Sequence, residues 1–135
     1  MKKLLIVSSL LLLISVAAIG QDKRLNSAPK AFRTYFATFK AAVERSDKAA
    51  VAGMAKFPFS YAYDAGDEGK YSRSQFIRHF SDVFGKNPRG FFDERNPAYH
   101  VSDDGAIVID TKDAAHLVFA KSGRTYKFSE YLVEP

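Results

Sequence analysis

Residues 32–59 read FRTYFATFKAAVERSDKAAVAGMAKFPF, and this stretch decides the fold. Phe32, Phe36, Phe39 and Val43 recur at spacings of four, three and four, which puts them on one narrow stripe of a 3.6-residue helix. Lys30, Arg33, Lys40 and Glu44 fall on the opposite side, so the spacing predicts an amphipathic helix over 27–46. Ser27 is a capping residue, and Pro29 suits the first turn, where its missing N–H has no intrahelical partner. Asp47 caps a second, shorter helix to residue 55 that carries Ala50, Val51 and Met54 inward. Pro58 disfavours helix at Phe57. Phe59, Tyr61 and Tyr63 then alternate with Ser60 and Ala62, the pattern of a strand with an aromatic face.

Towards the C-terminus, residues 64–69 (DAGDEG) read as a loop. Ser72 and Gln75 form a capping box flanked by Tyr71 and Phe76 as a hydrophobic staple. One helix is expected from there to Gly85, with Phe76, Ile77, Phe80, Val83 and Phe84 inward. Beyond Pro88 the period becomes alternating. Asp104-Gly105 separates strands over 99–102 and 106–110, and Ser122-Gly123 separates strands over 115–121 and 124–132. With Ser122-Gly123 as a two-residue turn, Phe119 pairs with Tyr126 and Leu117 with Phe128 on the core face, while His116 meets Ser129 and Val118 meets Lys127 behind it. That second face, with Ala114, Val118, Ala120, Thr125 and Tyr131, is half apolar and suits a homodimer contact. Helices first, then strands, describe an α+β fold of helices packed on an antiparallel sheet. A cystatin-like arrangement, one helix on such a sheet, is the alternative.

Residues 1–20 differ from the rest. Lys2 and Lys3 precede an apolar run, residues 4–19, broken only by serines and ending at Ala18 and Gly20. These are the charged, apolar and small-residue parts of a secretory signal peptide cleaved after Gly20. The run is short for a membrane anchor, which needs roughly 20 apolar residues. No cysteine follows it to take a lipid, so the expectation is a secreted or periplasmic domain spanning 21–135. In that domain Phe and Tyr number 19 against 13 for Leu, Ile and Val, so its buried volume must come largely from rings. With no cysteine anywhere, it holds together by packing and has no thiolate metal site or nucleophile. Without the first 20 residues the net charge falls from +5 to +3, which argues against nucleic acid. The excess of positive charge sits in residues 21–60, where a basic face on the first helix can meet an anionic envelope partner.

The run Phe32, Phe36, Phe39, Val43, Asp47, Val51, Met54, Phe57-Pro58-Phe59 resembles the opening of the nuclear transport factor 2-like superfamily, which includes SnoaL-like polyketide cyclases and ketosteroid isomerases. The later helix and strands agree in order, so the resemblance covers most of 27–133. It implies a cone: helices on a curved antiparallel sheet around an apolar pocket, frequently dimeric through the sheet. It implies no catalytic residue, because a general base and an oxyanion donor do not map onto this sequence position by position.

Candidate chemistry therefore comes from the residues themselves. Tyr35, Tyr61 and Tyr63 are the rings in surplus of the core stripes and are the expected ligand-binding set. Asp64 ends the aromatic face of the strand, His79 flanks the helical stripe beside Phe80, and His100 lies in a strand; these three are the candidates for an acid or base. His116 sits on the less apolar hairpin face. The three histidines share no metal-ligand spacing, and Asp64, Asp67 and Glu68 lack the order of a calcium loop, so no metal and no cofactor is expected. The leading expectation is a non-catalytic domain holding a small apolar ligand, or an envelope protein, through an aromatic cone. The alternative is an isomerase or cyclase using an Asp or His base in the same pocket.

Overall fold

The computed structural model describes residues 23–63, 66–92, 94–111 and 114–134. The expected leader and Asp64 lie outside the described residues. Among those described, four helices and seven strands are present, and the strands form one sheet in the order β1-β4-β5-β6-β7-β2-β3. The strands are β1 (Lys23–Arg24), β2 (Ala55–Ala62), β3 (Glu68–Tyr71), β4 (Ala98–Val101), β5 (Ile107–Asp110), β6 (Ala115–Ser122) and β7 (Thr125–Val133). Every neighbouring pair is antiparallel except β2 and β7, which run parallel. Helices packed on a curved, mainly antiparallel sheet are the α+β layout expected of the cone fold. Several helices rather than one set aside the cystatin-like alternative.

Helix α1 (Lys30–Glu44) follows the predicted stripe: Phe32, Tyr35, Phe36, Phe39, Ala42 and Val43 are buried. Its start differs from expectation. A 3-10 turn, Leu25–Ser27, precedes it, Pro29 occupies the cap position, and the Ser27 hydroxyl donates backward to the Arg24 carbonyl. Asp47 caps α2 (Lys48–Gly53) as predicted, accepting from the Ala50 N–H at 3.1 Å.

The rings of the α1 stripe meet rings from the sheet. Phe39 lies 5.2 Å from Phe119 and 5.1 Å from Phe128, both edge-on, and Phe32 lies 5.1 Å from Tyr126. Edge-to-face contacts place the positive rim of one ring on the negative face of the next, and each adds about 0.5–1.5 kcal/mol beyond area burial. This ring-on-ring packing fills the interior between helices and sheet.

Three further expectations are corrected. The single helix expected over 72–84 is two: α3 (Arg73–Arg78) and α4 (Phe80–Phe84), broken at His79. The capping box at its start is intact, with Ser72 N–H donating to Gln75 Oε1 at 2.8 Å. The segment after Tyr63 is not all loop, since Glu68–Tyr71 forms edge strand β3 on β2. The β6–β7 register is shifted by two residues near the turn, because the turn pair is Gly123-Arg124 rather than Ser122-Gly123. Only Gly123, at φ +60°, takes positive φ, the type II′ pattern. Phe119 consequently pairs with Phe128 and Lys121 with Tyr126. A shift of two keeps every side chain on its predicted face. A bulge between Val118 and Phe119 then advances β7 by one, so Leu117 pairs with Tyr131, which moves from the expected outer face to the core side.

Candidate functional site

The strand β2 alternation delivers Phe59 to the core, fully buried, and leaves Tyr61 and Tyr63 half-buried beyond it. The β2–β3 pairing sets Tyr61 opposite Gly69 and Phe59 opposite Tyr71. Gly69 is needed there: a Cβ at that position would stand 2.7 Å from the Tyr61 hydroxyl and 3.0 Å from the ring carbon bearing it. Because Gly69 has no side chain, the Tyr61 ring lies across β3 and stacks on Tyr71, with centroids 4.2 Å apart and planes within 18°.

His79 stacks on Tyr71 as well, at 4.7 Å and 4°. Two near-parallel rings this close cannot share one face of Tyr71, so Tyr61 and His79 cover opposite faces. Tyr63 adds a tilted contact to Tyr61, with centroids 5.1 Å apart, and Tyr131 a tilted one to Tyr63 at 5.8 Å. The break between α3 and α4 serves this arrangement, since His79 leaves the helical path with φ −99° and ψ 16° while the chain turns into α4. From that hinge its Nδ1 reaches Asp82 Oδ2 at 2.8 Å.

These residues line an open cleft of about 580 Å³, bounded by Tyr61, Tyr63 and Tyr71, by His79 and Asp82, and by Asp67, Lys70 and Gln75. The volume is within the few-hundred to thousand Å³ range of small-molecule sites. The Tyr63 and Tyr71 hydroxyls are 3.3 Å apart and share a hydrogen bond. Burial, with the hydrogen bond to Tyr71 adding to it, raises the Tyr63 pKa well above the ordinary tyrosine range; burial likewise raises that of Tyr71. Both hydroxyls are therefore neutral donors at neutral pH.

Of the residues expected from sequence, Tyr61, Tyr63 and His79 come together here. Tyr35 does not: it is buried on the core face of α1, its hydroxyl donates to the Met54 carbonyl at 2.8 Å, and it lines a separate open groove, also of about 580 Å³, with Lys30, Thr34 and Arg124. His100 lies far along the sheet, on the outer face of β4, with Nδ1 3.7 Å from Asp110 Oδ2. The same carboxylate bonds His116 Nδ1 at 2.5 Å, and His116 Nε2 stands 2.8 Å from Glu134, at ion-pair distance without hydrogen-bond alignment. Among the described residues no group of three or more such side chains is arranged to hold a metal ion. Tyr71, Lys70 and Gln75 were missed as site residues. Tyr71 reads as a staple from its place before the cap, and only the strand β3, which the sequence hides in a glycine-bearing loop, turns it towards Tyr61.

An apolar gap of about 30 Å³ beside Phe91, Phe92, Pro97 and Ile109 has room for a water or two.

No protein-family model matches the chain, and no curated protein matches it in sequence. Among solved structures, Aln2 from a Streptomyces species is similar over 75% of this chain and 85% of that one, at 10% identity and a TM-score of 0.48. An NTF-2-like protein of unknown function from Silicibacter pomeroyi is similar over 76% of this chain and 90% of that one, at 17% identity and a TM-score of 0.40. No residue role passes across likenesses of this size.

Proposed function

We propose that this chain is a non-catalytic binding domain whose site is the tyrosine cleft at the rim of the cone, taking a small ligand with a ring-shaped body. The observation that carries this reading is the Tyr61–Tyr71–His79 stack lining an open cleft. Aromatic side chains spend their apolar area in the core wherever the fold allows it; here Tyr61, Tyr63 and His79 stand half-exposed around the buried Tyr71, beside charged and amide groups. The apolar interior is already occupied by phenylalanines, which favours a surface cleft, and this one gathers three tyrosines and a histidine.

Titration of the neutral flat-ring compound 2-naphthol tests the reading by calorimetry. Saturable one-to-one binding that Tyr61→Ala weakens about tenfold is the expected result. Binding unaffected by Tyr61→Ala, or no heat at millimolar ligand, counts against it.

A second reading has one specific observation in its favour. The 2.8 Å contact between His79 and Asp82, beside two tyrosine hydroxyls, is the arrangement of an oriented general base with hydrogen-bond donors at hand. An isomerase or cyclase built this way would lose turnover in His79→Gln while keeping ligand affinity. Export as a secreted or periplasmic protein and pairing of two copies through the outer sheet face belong to the same proposal.

A further inference from the structure

We infer that the ligand of the tyrosine cleft is a neutral carbohydrate, with a pyranose ring packed against the half-exposed Tyr61 and Tyr63 and its hydroxyls met by Asp67, Lys70, Gln75 and Asp82. This rests on the reading of the cleft given above and narrows it to one ligand class.

The lining decides between classes. A single flat ring system such as 2-naphthol can lie against the tyrosines and leave the polar groups wet, but an apolar ligand large enough to cover the whole cleft would strip water from two carboxylates, an ammonium and an amide without replacing it. Each group so stranded costs about 1–3 kcal/mol or more. A quaternary ammonium needs rings set around an empty centre, but Tyr61, Tyr71 and His79 are stacked on one another and enclose no such space. An anionic ligand would face Asp67 and Asp82 with Lys70 as the single Lys or Arg side chain lining the cleft.

A pyranose meets these requirements together. One face of the sugar presents C–H groups, which sit favourably on the negative face of an aromatic ring, while its rim carries hydroxyls that both donate and accept. The two carboxylates accept, Lys70 donates, and the Tyr63 and Tyr71 hydroxyls, held neutral, can do either. The cleft is an open groove against the edge strand β3. That shape admits one unit of a longer glycan without requiring a chain end.

An array of immobilised neutral hexopyranose oligosaccharides, with sulfated and sialylated ones beside them, tests this with the full chain as wild type, Tyr61→Ala and Gly69→Ala. The second variant removes no polar group and displaces only the Tyr61 ring. Retention on neutral members, weakened about tenfold or more in both variants at unchanged far-ultraviolet dichroism, is expected. Retention confined to the charged glycans, equal retention by the variants, or none at all overturns the inference. The naphthol titration separates the two failures: naphthol bound in a Tyr61-dependent way without glycan retention removes the sugar and leaves the ring-binding cleft, and loss of both removes both.

Discussion

Phe39 shows what the aromatic excess is for. It is fully buried and within ring-contact distance of Tyr35, Phe36, Phe84, Phe92, Phe119 and Phe128. Phe39→Ala would open a cavity at the centre of that cluster, and a loss of about 3–5 kcal/mol in a denaturant titration is expected. His116 makes a different prediction. Burial by itself pulls its pKa down, and the hydrogen bond to Asp110 together with the charges of the Asp110 and Glu134 carboxylates more than reverses this, so the net shift is upward. A histidine held above its unfolded value near 6.5 adds stability that is fully present below about pH 6.5 and is lost as pH rises through the folded pKa. His116→Gln should therefore lower the melting temperature more at pH 5.5 than at pH 8.5; an equal drop at both would contradict the assignment. Single residues also mark where sequence reading succeeds. Phe32, Phe36 and Phe39 are legible because helical periodicity alone commits them to the core. Tyr71 is not, because its role depends on a partner strand whose hydrophobic pattern is only Gly69, Lys70 and itself.

The elements around the cleft were legible to different degrees for physical reasons. The capping box announces where α3 starts, and Ser72→Ala should cost about 1 kcal/mol in thermal denaturation, with weaker ligand binding because the Tyr71–His79 stack hangs on that helix. The break at His79 gives no such signal. Phe76, Phe80, Val83 and Phe84 keep helical spacing across it, and all four are buried on both sides of the hinge. The β6–β7 hairpin was placed correctly but registered two residues off, because Ser122-Gly123 and Gly123-Arg124 are both acceptable turn pairs locally. What selects between them is tertiary: the bulge must bring Phe128 and Tyr131, three residues apart, to the same side of β7. A bulge leaves no trace in alternation read from one strand alone.

At the scale of the whole molecule, phenylalanines fill the space between the helices and the sheet. The proposed ligand cleft lies at the edge of that packing, where β2, β3 and the α3–α4 hinge meet. We propose the outer face of the sheet, carrying Val118 and Ala120 with the His116 cluster at one end, as the surface for pairing two copies. Sedimentation equilibrium of residues 21–135 should return twice the chain mass; a monomer at tens of micromolar would dismiss that arrangement and leave the cleft untouched. The central claim is the cleft itself. Amide chemical shifts of 15N-labelled protein titrated with 2-naphthol test it most directly. Perturbations concentrated at Tyr61, Gly69, Tyr71 and His79 are predicted; perturbations centred on the Lys30, Tyr35 and Arg124 groove, or none, would contradict it.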